Sequence, residues 1–210
     1  MKKRVFNLII VDESGSMCAI RQQAFSGMNE TLQTIKICAE QNPDLEQYVT
    51  LITFDSNHTN FHYNNAEGTA VVSLKESDYR PGGCTPLYDA IGSGIAKVNA
   101  QTQDGDSVLV TIITDGYENA SREYDLKMVK NLVEKLTEQH WTFTFIGTDD
   151  LDVEGMASSM GIRHTLSFAR NEEQADAMFK EERECRMCFY NEMIEPTASA
   201  DVTYFKKKHV

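Results

Sequence analysis

The sequence predicts a doubly wound α/β fold, with a mostly parallel six-stranded sheet, one antiparallel edge strand and helices on both faces. Six short apolar runs rich in β-branched residues alternate with amphipathic stretches along the 210-residue chain. Strands that read as continuous apolar runs are typical of a parallel sheet covered on both sides. The polar link at residues 55–59 is too short for a crossover helix, so the runs on either side of it should form an antiparallel hairpin.

The elements follow one another as strands and helices in near-regular alternation. Strands are predicted at residues 5–11, 48–54, 60–64, 107–114, 141–147 and 164–168. Apolar residues at helical spacing predict helices at residues 20–41, 86–101, 125–139, 152–160 and 171–190. Periodicity stops after Tyr190 and a proline follows at position 196. We therefore expect one domain over residues 1–190 and a tail of unassigned structure at 191–210.

Composition excludes several classes of function. The net charge of −12 argues against a nucleic-acid partner, because phosphate binding needs a basic surface. The apolar runs are strand-sized and far too short to span a membrane. Five cysteines, an odd number without the spacing of a disulfide framework, favour a reducing compartment. The basic start before residues 5–11 resembles a signal peptide, but the run is short and ends in Asp12, so we interpret it as the first strand of a cytoplasmic protein.

Carboxylates and hydroxyls follow the predicted strands at the points where ligands of such sheets bind. Asp12, Ser14 and Ser16 come after the first strand, Asp115 after the fourth, and Thr85 in the loop before the second helix. Oxygen ligands of this kind suit hard cations, Mg²⁺ first and then Mn²⁺ or Ca²⁺. With only two carboxylates from the protein, the ion would keep a position for an external carboxylate. The sequence therefore predicts a metal centre at one rim of the sheet.

These residues resemble the metal-ion-dependent adhesion site of von Willebrand factor type A domains, the family that includes integrin I domains. The family pattern is Asp-x-Ser-x-Ser, then a Thr, then an Asp, in the order found here. The resemblance covers roughly residues 4–190, and the wording around the motif is similar to that of bacterial intracellular members. The matching segments are Asp12-Glu13-Ser14-Gly15-Ser16, Gly82-Gly83-Cys84-Thr85-Pro86 and Thr114-Asp115-Gly116.

The resemblance implies a role for each residue. Ser14 and Ser16 would bind the ion directly, and Thr85 would bind it directly or through water. Asp12 and Asp115 would often act through water, which leaves the ion to be completed by a Glu or Asp of a partner protein. The implied function is metal-dependent protein binding without catalysis, with no nucleic acid or membrane as partner.

Two other functions remain open from the residues. A Mg²⁺-dependent phosphohydrolase would place a phosphoryl-accepting aspartate where Asp12 lies, although Ser14 replaces the second carboxylate of an Asp-x-Asp pair and no general base stands out. A scaffold subunit without a working metal site is the other alternative. Each motif residue also has an ordinary explanation as a helix cap or a turn residue.

Four polar residues beside the motif are ambiguous. Glu13 could turn toward the ion, but we expect a solvated or helix-side position. Glu118 and Asn119 are expected to be loop residues that help to begin the next helix, with support of the metal site as the alternative. Asp89 either supports the site or serves the N-terminus of its own helix electrostatically.

Overall fold

The computed structural model describes residues 2–194, which form six strands and five α-helices. The strands are β1 (Lys3–Asp12), β2 (Leu45–Phe54), β3 (Thr59–Glu67), β4 (Ser107–Thr114), β5 (Trp141–Thr148) and β6 (His164–Phe168). They form one sheet in the order β3-β2-β1-β4-β5-β6, in which only the β2–β3 pairing is antiparallel. The predicted sheet and its antiparallel edge strand are confirmed.

The helices lie close to their predicted positions. They are α1 (Arg21–Gln41), α2 (Leu87–Asn99), α3 (Leu126–Thr137), α4 (Val153–Ser159) and α5 (Glu172–Ile194), and a short 3-10 turn at Gly15–Ile20 precedes α1. Helix α5 continues beyond the residue at which the sequence pattern ended, so the first part of the predicted tail is helical. The remainder of that tail, residues 195–210, lies outside the described residues.

Alternation along β1 divides the core between the two faces of the sheet. Ile9 points to the face covered by α1 and α5 and packs in a cluster with Met28 and Phe179. Leu8 points to the opposite face and packs in a second cluster with Ile91 of α2. Because both faces of the central strands are covered, their side chains are buried at nearly every position, which explains the continuous apolar runs in the sequence.

A buried polar network fastens α5 to the middle of the sheet. Arg186, which is fully buried, is bonded to Glu182 one turn earlier, with Nη2 at 2.5 Å from Oε1. Its guanidinium also donates to Asn7 Oδ1 on β1 at 3.1 Å and to Thr111 Oγ1 on β4 at 2.7 Å. Tyr190 donates to the same Asn7 oxygen at 2.5 Å. Hydrogen bonds as well as apolar packing therefore set the position of α5.

Two further findings bear on the sequence predictions. Within residues 2–194, none of the helices has the length and apolar character needed to cross a membrane. All five cysteines are free thiols, and Cys185 and Cys188 share helix α5.

Candidate metal centre

Three loops meet at the carboxyl ends of the central strands. Strand β1 ends at Asp12, and its neighbour β4 ends at Thr114, immediately before Asp115. The loop that carries Thr85 leads into α2 and is bonded to the loop after β1, since Gly15 N donates to Gly83 O at 3.1 Å. The parallel pairing of β1 and β4 thus places the predicted ligands on one rim.

Asp12 is the most deeply buried member of the cluster, with no exposed surface. Its Oδ1 accepts from the backbone N–H of Ser14 at 2.7 Å, and its Oδ2 accepts from the Thr114 hydroxyl at 2.6 Å. Burial nevertheless raises the pKa of Asp12 from 3.8 to about 6, because two hydrogen bonds do not replace the water that the charged form loses. This carboxylate therefore has an unmet demand for positive charge.

Ser14, Ser16 and Asp115 form a continuous chain of oxygens. The Oγ atoms of Ser14 and Ser16 lie 3.2 Å apart, and Ser16 Oγ donates to Asp115 Oδ1 at 2.6 Å. Burial raises the pKa of Asp115, and its Oδ2 is buried without a hydrogen bond. Arg170 Nη2 lies 3.5 Å from that oxygen.

Gly116 shows where these oxygens converge. A Cβ atom added at this glycine would lie 3.2 Å from Ser16 Oγ, 3.4 Å from Thr85 Oγ1 and 3.8 Å from Asp12 Oδ2. Three oxygens, two from the end of β1 and the loop after it and one from the Thr85 loop, thus face one small space beside Gly116 that any larger residue would fill. A set of hydroxyl and carboxylate oxygens fits a hard divalent cation.

Three of the five residues in the cluster contribute hydroxyl groups, and two contribute carboxylates. In the part of the chain that the structure describes, no group of three or more His, Cys, Asp or Glu side chains is arranged to hold a metal ion. The structure does bring Asp12, Ser14, Ser16, Thr85 and Asp115 together. Their assignment as ligands stays a prediction.

The backbone of the Thr85 loop is shaped by a glycine that cannot be replaced easily. Gly83 has φ of +71°, and a Cβ there would lie 2.8 Å from Ser56 Oγ and 3.1 Å from Asp55 Oδ2. The adjacent Gly82 N–H donates to Glu13 O at 2.8 Å. Gly83 therefore lets this loop run directly against the β2–β3 turn, and the Gly82 N–H bonds it to the loop after β1.

Asn119 supports the loop of Thr85, which is the alternative role that the sequence left open. Its Oδ1 accepts from the backbone N–H of Thr85 at 2.8 Å, and its own N–H donates to Thr85 O at 3.1 Å. The preceding Glu118 accepts from the backbone N–H of Tyr88, in the first turn of α2, at 3.0 Å. The expectation that both residues help to begin the next helix was wrong, because they hold the loop of Thr85 and the start of α2.

Tyr79 was not predicted to belong to the site, and Glu13 lies in a different environment from the one expected. Tyr79, which is fully buried, donates its hydroxyl to Asp12 O at 2.7 Å, and burial raises its pKa so that the hydroxyl stays protonated. Glu13 is buried rather than solvated. Its Oε1 accepts from the backbone N–H of Arg80, and its Oε2 lies 3.5 Å from His58 Nε2. None of these three contacts has a signal in the sequence, because each joins residues that are more than forty positions apart.

Of the two roles expected for Asp89, the contacts of its carboxylate agree with support of the site. Its carboxylate accepts from three successive backbone N–H groups, those of Arg122, Glu123 and Tyr124, at 2.8 to 2.9 Å. It therefore orders the loop between β4 and α3, which also contains Asn119. Through that loop it supports the site indirectly.

Comparison with known proteins agrees with this architecture. The family model described as von Willebrand factor type A domain matches residues 8–181. A search of the curated proteins gave no match.

Several solved structures share the fold at low sequence identity. The von Willebrand factor domain of the type V pili tip protein Mfa5 from Porphyromonas gingivalis has a TM-score of 0.68 at 11% identity, with 98% of this chain and 100% of that chain covered. The SpRpn10 VWA domain gives 0.56 at 13% identity, covering 87% and 95%. The pilus adhesin SpaC from Lactobacillus rhamnosus GG gives 0.61 at 14%, covering 87% of this chain but 30% of the adhesin. At these identities the likeness shows the fold.

Proposed function

The chain belongs to the von Willebrand factor type A domain family, and from this premise we propose that it is a metal-dependent binding module that captures an acidic residue of another protein. Domains of this family commonly bind other proteins. The proposed cation is Mg²⁺, with Mn²⁺ or Ca²⁺ as substitutes, held by Asp12, Ser14, Ser16, Thr85 and Asp115. The proposed location is the cytoplasm.

The observation that carries the proposal is the convergence of oxygens around Gly116. Ser16 and Thr85 point their hydroxyl oxygens at the same small space, and the Asp12 carboxylate lies at its floor. A divalent cation bound there would supply the positive charge that the buried carboxylates need. The hydroxyls contribute no formal charge, so an anionic group from outside remains attractive to the site.

The two carboxylates would orient the hydroxyls rather than take part in a reaction. Asp115 Oδ1 accepts a hydrogen bond from Ser16 Oγ, so that a lone pair of Ser16 Oγ points away from Asp115. The Thr114 hydroxyl donates to Asp12 Oδ2 and fixes that oxygen. An arrangement that orients neutral oxygens is suited to binding. Turnover of a phosphate ester that is lost in Asp12→Asn would instead support the phosphohydrolase alternative.

A pair of glycine variants tests the site with the metal alone. Gly116→Ala places a methyl group against three of the proposed ligand oxygens, whereas Gly82→Ala meets nothing within 4 Å. We expect isothermal titration with Mn²⁺ to show one site in the wild type, unchanged in Gly82→Ala and weakened at least about tenfold in Gly116→Ala. Circular dichroism checks that all three proteins are folded.

Two results would contradict the proposal. Absence of Mn²⁺ and Mg²⁺ uptake by the wild type in equilibrium dialysis would leave the scaffold alternative. Equal Mn²⁺ affinity in Gly116→Ala and the wild type would place the ion elsewhere. With a partner in hand, EDTA or Asp12→Ala should abolish its capture while the fold persists.

A further inference from the structure

A basic residue lies beside the proposed metal centre on the same rim. Strands β5 and β6 continue the sheet beyond β4, and their ends carry Asp150 and Arg170 respectively. The backbone joins the two ends, since Asp149 N donates to Phe168 O at 2.9 Å. The rim therefore runs from the metal-site loops through Asp115 to Arg170 without a gap.

Asp150 holds the guanidinium of Arg170 in one orientation. Arg170 Nη2 lies 3.0 Å from Asp150 Oδ2, and Nε donates to Asp150 Oδ1 at 3.4 Å. This two-point contact directs Nη2 toward Asp115 Oδ2, which at 3.5 Å is farther than a hydrogen bond. Arg170 is thus positioned beside the site by a neighbour, and Asp115 does not consume its donors.

The guanidinium retains capacity for another anion. Its side chain is 36% exposed, and the contacts formed within residues 2–194 use Nε and Nη2. An arginine has five N–H donors in a planar fork that matches a carboxylate. A carboxylate from outside can therefore approach Nη1 while Asp150 still holds the other edge.

We propose that Arg170 is a second carboxylate-binding point, so that this chain selects partner segments with two acidic residues, one for the metal and one for the guanidinium. The inference rests on the proposed function, because the first acidic residue requires the ion. It adds a stated chemistry for the partner and a residue that distinguishes one acidic segment from another.

The geometry also limits the spacing of the two acidic residues. Ser16 Oγ and Arg170 Nη2 lie at opposite oxygens of the Asp115 carboxylate, at 2.6 and 3.5 Å. One carboxylate separates them, so Ser16 Oγ and Nη2 are at most about 8 Å apart, and Nη1 is bonded to the same carbon as Nη2. Two residues of an extended strand span about 7 Å and point to the same side. An extended segment with acidic residues two positions apart fits these limits, and it is the spacing that the proposal favours.

Three capped five-residue peptides test the spacing. The first has glutamates at its second and fourth positions, the second has glutamates at its second and third positions, and the third has a single glutamate. Binding to the Mg²⁺-loaded protein is followed by amide chemical shifts in NMR titrations. We expect the wild type to bind the first peptide about tenfold more tightly than either of the others, the range of one charge-assisted pair.

Arg170→Gln removes the second point, and Arg163→Gln is its matched control. Arg163 is exposed and directly precedes β6, so it lies at the opposite end of the strand that Arg170 follows. We expect Arg170→Gln to bind all three peptides equally and Arg163→Gln to behave as the wild type. Arg170→Gln should also bind Mn²⁺ at least as tightly as the wild type, because it lacks a positive charge near the ion.

Each outcome separates this inference from the proposed function. If the wild type binds the single-glutamate peptide only with Mg²⁺ but shows no preference for the first peptide, the second binding point is refuted and the metal-dependent function stands. A preference that survives in Arg170→Gln, or loss of Mn²⁺ binding in that variant, also refutes it. If the wild type takes up neither metal nor peptide, both proposals fail.

Discussion

Replacing Asp12 by asparagine should stabilise the metal-free protein, contrary to the usual effect of changing a buried polar residue. Burial raises the pKa of Asp12 from 3.8 to about 6. At pH 7.5 the carboxylate is ionised, so holding its charge inside the folded protein costs about 3 kcal/mol relative to the unfolded chain. Asparagine has nearly the same shape and carries no charge.

The surroundings of Asp12 can accommodate the amide. Its oxygen can accept from Ser14 N as the carboxylate does. Its NH₂ group can donate to Thr114 Oγ1 if that hydroxyl turns to Gly116 O, which already lies 3.3 Å away. Exchanging charged for neutral hydrogen bonds costs about 1 kcal/mol. The net gain of about 2 kcal/mol should raise the melting temperature in EDTA by about 4 to 8 °C.

The sign of the pH dependence follows from the direction of the shift. A carboxyl whose pKa is raised by folding binds its proton more tightly in the folded state. Its contribution to stability is fully present below pH 3.8 and is lost as the pH rises through about 6. The advantage of Asp12→Asn should therefore be largest at pH 7.5 and should shrink between pH 6 and pH 4.

Magnesium should reverse the order of the two proteins. At a concentration one hundred times the dissociation constant, the wild type should gain about 2.7 kcal/mol, and Asp12→Asn should gain little. Thermal denaturation in EDTA and in Mg²⁺, at pH 5 and pH 7.5, measures all four cases. If Asp12→Asn in EDTA at pH 7.5 is less stable than the wild type, the carboxylate is already adequately stabilised by its hydrogen bonds and the reasoning fails.

The remaining predictions concern α5. Gly27→Ala should lower the unfolding free energy, measured by urea denaturation, by about 1–3 kcal/mol, because its Cβ would overlap the ring of Phe179 on α5. Gly82→Ala, whose Cβ would have no atom within 4 Å, should leave the unfolding free energy unchanged. Arg186→Met should cost about 3–5 kcal/mol, since it removes the buried guanidinium that bonds Glu182, Asn7 and Thr111. Adding Glu182→Gln should recover part of that loss, because the buried carboxylate charge is then absent, and equal stability of the single and double variants would contradict this account.

The fold was predictable because local patterns and global burial agree. Strands β4 and β6 have their predicted bounds, and the apolar run of β4 lies between Asp106 and Asp115. The short link after Phe54 required a hairpin, and β3 is indeed the antiparallel edge strand. Helix α5 was predicted too short, because apolar periodicity is lost after Tyr190, whereas Met193 in the last turn packs against the core and its carbonyl accepts from Lys3 Nζ.

The composition of the rim was predictable for residues that follow strands and, from the matching loop segment, for Thr85. Asp12 and Asp115 could be placed there because topology brings the ends of parallel strands together. The contacts of Tyr79, Asn119 and Glu13 could not be predicted, since each joins distant parts of the chain and no periodicity indicates them. A tyrosine in an irregular segment is interpreted as a core residue, and only the direction of the Tyr79 hydroxyl identifies it as part of the site.

Most of the contacts that hold the loops of the site are made to backbone atoms rather than to the proposed ligand atoms. Tyr79 holds Asp12 through its carbonyl, and Asn119 holds Thr85 through its backbone N–H and carbonyl. Backbone hydrogen bonds likewise join the loop of Gly15 to that of Gly83. The loops are therefore set in place by contacts that need no ion, while the hydroxyl oxygens of Ser16 and Thr85 remain directed at the space beside Gly116. Such preorganisation requires that chelation remove binding without unfolding the domain.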